Sequence, residues 1–455
     1  MTGLAAAALA MAAVQPAGAT VVLRGATLVD VSRFGSSAHD VKDAVVVLRG
    51  GTIEAVGPTA QVALPTGASV IDVSGTFIVP GLHDLFATVN NQAQANAFLY
   101  MGVTSIVGLD EPGGRRGPLF MKASPGPRVY PLEAVTGFDE SQLPDAPRTI
   151  DEMMTQGRRM SAPELRAEVD RLAARGVKVL LLYYSLAPDQ VRTVADHARQ
   201  RGLATIGELG ATTYREAIAA GVMAFVHTSR YSLDLAPQPL RDEVARAPFG
   251  PPRRRFYEYL ATLTADDAGL VRHARTLATR RTALIPTLAL TYLELPGHEN
   301  PWREPVAALL DPADIHLPAD RETGEPERPV DAVRDAFPPG TATKLQRIEG
   351  VYCKAGATYL AGSGTDAFGT MPGISLHTEL ALLVKAGLTP RQALAAATGN
   401  VGAIFGWPVG RLQPNAAADL LVLEADPTVD IANLKRIRHV VLAGQVLDRA
   451  SLLRR

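Results

Sequence analysis

Short apolar runs alternate with amphipathic stretches through the middle of the chain. Val177 to Tyr184 (VKVLLLYY) reads as a strand, and Asp189 to Arg201 as the helix that follows. The pattern continues with a strand end at Thr205 to Gly207, a helix at Tyr214 to Ala220 and a strand at Met223 to His227. It then gives a helix at Asp266 to Thr279, strands at Ala283 to Pro286 and Tyr359 to Ala361, and a helix at Leu376 to Ala386. Earlier, Thr104 to Val107 is a strand and Ser161 to Arg175 a helix. A strand-like apolar run followed by a helix-like run recurs again and again. So many β–α repeats imply a parallel sheet closed into an α/β (β/α)8 TIM barrel. Pro237 to Arg255 and Glu294 to Pro339 are rich in Pro and Arg and read as long loops over the barrel mouth.

The two ends of the chain read differently. Val21 to Asp30, Ala44 to Leu48 and Thr52 to Val56 are short β-branched runs punctuated by Gly25, Gly50, Gly51 and Gly57. Asp419 to Leu423, His439 to Leu442 and Gln445 to Leu447 repeat that style around Gly444. Neither cluster has enough strands to stand alone. Together they predict a small β-sandwich domain formed from both termini, residues 20–77 and 411–455, beside a barrel of residues 78–410. Residues 1–19 read as a signal peptide: Leu4 to Val14 is an uncharged apolar run, Gln15 and Pro16 break it, and Ala17-Gly18-Ala19 is a cleavage site. The run is too short to span a bilayer. A periplasmic or secreted protein is therefore expected, with no membrane attachment after processing.

Composition narrows the function classes. With 45 Lys and Arg against 46 Asp and Glu, the net charge is −1 and no long basic block exists, which argues against nucleic acid as a partner. The partner expected is a small-molecule substrate or ligand; homo-oligomerisation is left open. The single cysteine, Cys353, can form no intrachain disulfide and reads as a small buried hydrophobe.

Several segments carry a family likeness. Pro80-Gly81-Leu82-His83-Asp84 resembles the start of the first barrel strand of the amidohydrolase superfamily, and Gly364-Thr365-Asp366 its strand-eight motif. Gly50 to Gly57 and Ala418-Asp419-Leu420-Leu421-Val422-Leu423 are similar to the strands of its small domain. The likeness runs in order along nearly the whole chain and is best to the imidazolonepropionase-like and prolidase-like secreted branch. It implies a metal-dependent hydrolase acting on carbon–nitrogen bonds other than peptide bonds.

The metal ligands implied by that resemblance are mostly replaced. The H-x-H pair of the first strand falls on Phe86 and Thr88. His83 lies an odd number of residues from Phe86, so period two points it to the opposite face, packed beneath the barrel. The bridging lysine falls on Leu181 and the next strand's histidine on Glu208; only His227 and Asp366 are kept. Two ions cannot be held by this set. One zinc or manganese ion between Glu208, His227 and Asp366 is the most that remains, and no metal at all is the alternative. Tyr183 shares strand parity with Leu181 and could polarise a carbonyl, whereas Tyr184 should face the helix layer. His377 could orient a loop or simply start a helix, and Asp110 and Glu111 read as loop acids. The resemblance implies Asp366 as general base, His227 to polarise or protonate, and Glu208 as ligand or second acid–base group. The competing expectation is a non-catalytic paralogue binding a small ligand or a catalytic partner subunit.

Overall fold

The computed structural model describes residues 20–109, 123–139, 157–248, 251–280, 282–327, 340–365 and 367–454. Residues 1–19, Asp110, Glu111 and Asp366 lie outside the described residues.

The chain opens in a small sheet: β1 (Val21–Leu28), β2 (Val41–Arg49), β3 (Thr52–Pro58), β4 (Ser69–Asp72) and β5 (Phe77–Pro80). It then enters the barrel through β6 (Leu82–Ala87), β7 (Val103–Leu109) and β8 (Arg128–Val135). A two-stranded ribbon, β9 (Phe138–Asp139) with β10 (Arg158–Arg159), precedes β11 (Val179–Leu182), β12 (Ala204–Gly207), β13 (Ala224–Val226), β14 (Ala283–Ile285) and β15 (Thr358–Tyr359). The return to the small sheet is made by β16 (Leu420–Leu423), β17 (Ile437–Leu442) and β18 (Gln445–Leu447).

Eight parallel strands, β6 to β8 and β11 to β15, pair in chain order. Backbone bonds from Leu85 N–H to Ala361 O (3.0 Å), Gly364 N–H to Phe86 O (2.8 Å) and Thr88 N–H to Thr365 O (2.9 Å) join the last strand's end to the first and close the ring. Strand residues sort by alternation. Leu85, Val107, Leu132, Leu181, Ile206, Val226 and Ile285 pack together inside. Leu82, Ile106, Leu180, Leu182, Phe225 and Leu284 pack outward against helix residues such as Leu165, Val169 and Val194. The (β/α)8 reading holds, and β8 joins it although Pro131 and Glu133 interrupt its apolar run.

In β6 the alternation breaks. Its pairing with β7 shifts between Leu82 and His83 and again between Asp84 and Ala87. Consecutive residues Leu85 and Phe86 both meet the interior cluster, while Ala87 packs outward. His83 therefore does not face away from the interior as strict period two predicts. It stands opposite Ser105, two residues before inward-facing Val107, and its Nδ1 shares a hydrogen bond with the Ser105 hydroxyl. Burial, aided by Arg128, pushes its pKa down to about 3, so His83 is a neutral packed residue.

Strands from both termini form one sheet, in the order β18-β17-β16-β5-β1-β2-β3, with β4 also beside β1. The sheet curls around Leu23, Val46, Ile53, Ile78, Leu420 and Val422. The β2–β3 turn bonds back to the segment before β16 through Ala418 N–H to Gly51 O (3.0 Å). On β16, Leu421 and Leu423 face the other way, into the barrel's outer core. A single residue, Gly81, separates β5 from β6, and its N–H donates to Asp419 O at 2.8 Å. A side chain there would collide with Thr104, which is why glycine occupies the junction. Asp419 in turn accepts from Ala443 N–H (2.7 Å) and pairs with Arg128 (3.3 Å).

Two expectations change. The segment 237–255 is largely helical, in Gln238–Arg246 and the start of Pro251–Thr262. Pro239, Pro251 and Pro252 stand in first turns, where a missing N–H costs nothing. Cys353 is only half-buried, on the helix Thr341–Ala355, and burial pushes its thiol up to about 12.

Candidate active site

Tyr183, Glu208 and His227 are the first residues past three neighbouring strands, β11, β12 and β13. They lie at the strands' C-terminal ends, the end where barrels carry their chemistry. Glu208 keeps the inward phase of Ile206, and its N–H donates to Leu182 O at 2.9 Å. Val226 already points inward, so continued strand would turn His227 away. Instead the chain bends at His227 into the left-handed region, φ 54° and ψ 41°, uncommon for a residue with a side chain. The bend brings Nε2 to 3.7 Å from Glu208 Oε1, with both side chains about a tenth exposed. The Phe86 ring meets the imidazole edge-on, 5.2 Å between centroids.

On the other side of the imidazole, Nδ1 receives Arg230 Nη2 at 2.8 Å and lies in hydrogen-bond contact with the Thr287 hydroxyl. Thr287 follows β14 and is also left-handed, φ 52°. Arg230 is 5% exposed. Its carbonyl accepts from the buried Arg253 side chain at 2.9 Å.

Three buried carboxyls hold the loops that carry these groups. Glu349 accepts from the Thr228 hydroxyl and from Tyr359 Oη, the latter at 2.8 Å, and from Ser229. Glu379, on the helix Ile374–Ala386, accepts Ala289 N–H at 2.8 Å and also the Thr287 backbone. Asp84 accepts Ser363 N–H at 2.8 Å and Phe86 N–H at 3.3 Å. Burial raises all three pKa values, that of Asp84 to about 6 and that of Glu379 well above its ordinary value. Asp84 Oδ2 and Glu379 Oε1 have no hydrogen-bond partner among the described residues.

Of the residues expected from the sequence, the structure brings Glu208 and His227 together. Tyr183 lies beyond the end of β11, where parity no longer applies. Its ring stacks on Tyr184, 3.9 Å between centroids, and the two hydroxyls are bonded at 2.8 Å. Tyr184 thus packs in the outer core yet also covers Tyr183, a contact alternation does not predict. His377 is buried and donates from Nε2 to Met101 O at 2.8 Å. The sequence pattern does not mark Arg230, Thr287, Glu349 or Glu379, and it shows Asp84 only within the first-strand motif. Arg230 could have been noticed as the one fixed charge between Val222 and Leu233, and Glu379 as the lone acid in Ile374 to Leu383.

Among the described residues, the side chains at the implied ligand positions do not fit a two-metal centre; Asp366, the third ligand of the expected single ion, lies outside them. Leu181 is packed inside the barrel, Phe86 offers no donor, and the Thr88 hydroxyl donates to Thr365 O at 3.2 Å. Among the described residues, no group of three or more His, Cys, Asp or Glu could hold an ion.

Residues 254–447 match the amidohydrolase family model. Compared with curated protein sequences, the chain has no match. Among solved structures it resembles a prolidase-like protein from Bifidobacterium longum, with 20% identity, 96% of this chain and 99% of that one covered, and a TM-score of 0.61. An Xaa-Pro dipeptidase with methionine bound in its active site gives 15% identity, coverage of 94% and 100%, and a TM-score of 0.62. An ochratoxinase from A. niger gives 18%, coverage of 94% and 96%, and 0.59. The family model matches the C-terminal part of the chain, and these solved structures share its fold over nearly its whole length.

Proposed function

We propose that the chain is a hydrolase of a carbon–nitrogen bond in a small amide, such as a dipeptide or an N-acyl amino acid, with lactams and esters as related substrates. One observation carries this: a buried carboxyl and an imidazole 3.7 Å apart at the ends of adjacent barrel strands. A carboxylate can take a proton from water, and an imidazole can polarise a carbonyl. In this reading water attacks the carbonyl carbon and gives its proton to a carboxylate. Asp366 is the base proposed for that step, and Glu208 the second acid–base group. His227 and the Tyr183 hydroxyl stabilise the oxygen as charge builds there. The C–N bond then breaks, and the amine leaves with a proton returned from the carboxyl. No step passes through a metal ion. The likeness to a prolidase-like protein and to an Xaa-Pro dipeptidase supports amide-like substrates as the first to try. Export, with processing before Thr20, completes the proposal; N-terminal sequencing of protein from its native host tests it.

The activity test is a panel of dipeptides, N-acyl amino acids, lactams and lactones. Glu208→Gln, His227→Ala and Asp366→Asn are run beside the parent, each expected to lose roughly 10²–10⁴-fold. Equal rates in parent and variants would place the activity elsewhere. A parent inert across the panel that still binds a ligand would be a binding protein.

A further inference from the structure

We infer that Arg230 fixes His227 as a neutral imidazole with its proton on Nε2, so that His227 serves as a hydrogen-bond donor and not as a metal ligand. The donor role rests on the hydrolase reading above; the tautomer does not.

The argument turns on which partner of Nδ1 can change its mind. The Thr287 hydroxyl can rotate, giving its proton to Nδ1 or to Pro286 O, which lies 2.6 Å away. A guanidinium nitrogen can only donate. Arg230 Nη2 lies 2.8 Å from Nδ1, so Nδ1 must be the acceptor, and a neutral ring then carries its hydrogen on Nε2. That hydrogen faces Glu208 across 3.7 Å. A metal bound at Nε2 would need the reverse arrangement. Ligating histidines hand their second N–H to a carboxylate, a carbonyl or water. Here that N–H would point at another N–H, on a permanently charged group that is itself buried. The left-handed bend at His227 and the Glu349 bonds to Thr228 and Ser229 hold Arg230 and His227 in this relation, three residues apart in one short turn. A neutral imidazole N–H is a competent electrophile toward a carbonyl oxygen when its surroundings hold it unprotonated. The site thereby keeps a fixed positive charge beside the histidine, supplied by the chain itself.

The test is long-range ¹⁵N–¹H NMR of the full chain labelled at histidine, with the His227 signals assigned by comparison with His227→Gln. The expected pattern is the Nε2–H tautomer, unchanged on adding zinc. An Nδ1–H pattern, or a zinc-induced shift in the parent, would overturn the inference. Arg230→Met should lose the tautomer bias and bind zinc at least about tenfold more tightly, a gain abolished by adding His227→Ala. Arg230→Gln, which can still donate, should restore the parent pattern. Unchanged zinc affinity in a folded Arg230→Met variant would also count against it. An inert protein with the expected tautomer would sink the hydrolase reading alone, and an active one with Nδ1–H would sink this inference alone.

Discussion

Glu379 Oε2 accepts the Ala289 N–H at 2.8 Å and so ties the helix after the last barrel strand to the loop after β14. That loop carries Thr287, a partner of His227 Nδ1. Burial favours the protonated form of Glu379, so glutamine is a close substitute. Glu379→Gln is expected to fold and unfold nearly as the parent does. Glu379→Ala leaves buried N–H groups without a partner and opens a void, a cost of about 2–4 kcal/mol. Denaturant unfolding of the two variants checks this; equal losses would show that the hydrogen bonds do not matter.

Asp84 gives a signed pH dependence. The folded protein holds its proton to about pH 6, against 3.8 ordinarily, because the carboxyl is buried. Its contribution is fully present below pH 3.8 and is lost as pH rises through about 6. His83 and His377 act the other way. Burial lowers them to about 3 and about 4, so their contribution is present above 6.5 and lost as pH falls. The difference between parent and Asp84→Asn isolates the first effect. The variant should gain stability relative to the parent on going from acid to pH 7, by at most about 3 kcal/mol. A pH-independent difference would refute it.

Truncation after Gly410 removes β16, β17 and β18. β5 then loses its antiparallel partner, and Leu421 and Leu423 leave the barrel's outer core. Each fully buried leucine contributes about 1.5–3 kcal/mol, so β16 alone carries much of a typical domain's stability. The truncated chain should aggregate or unfold. A soluble truncate with a cooperative melt would show that the barrel stands without the shared sheet.

Elemental analysis after growth in zinc or manganese should find at most about one ion per chain, and chelator should leave the melting temperature unchanged. Two tightly held ions would overturn the assignment of Phe86, Thr88 and Leu181 to the ligand positions.

The barrel was legible because its strands are short apolar runs and its helices keep a three-to-four period. The shared sheet was legible from β-branched runs at both ends. The local backbone was not. The bulge in β6 sets Leu85 and Phe86 on one side and brings His83 inward, and no residue type marks it. Parity also fails where strands stop: Tyr183 follows β11 and His227 follows β13, and a left-handed turn, not alternation, aims the imidazole. The bonds that hold such turns come from Glu349 and Glu379, far away in sequence, so local pattern could not reveal them.

Gly81 links the small sheet to the barrel with no spare chain, and Asp419 clamps the junction through Gly81, Ala443 and Arg128. Mechanically this is a splint. A hinge needs residues free to change their dihedral angles, and the only residue between β5 and β6 is bonded in place. The two bodies are therefore braced against each other at this junction and do not hinge there.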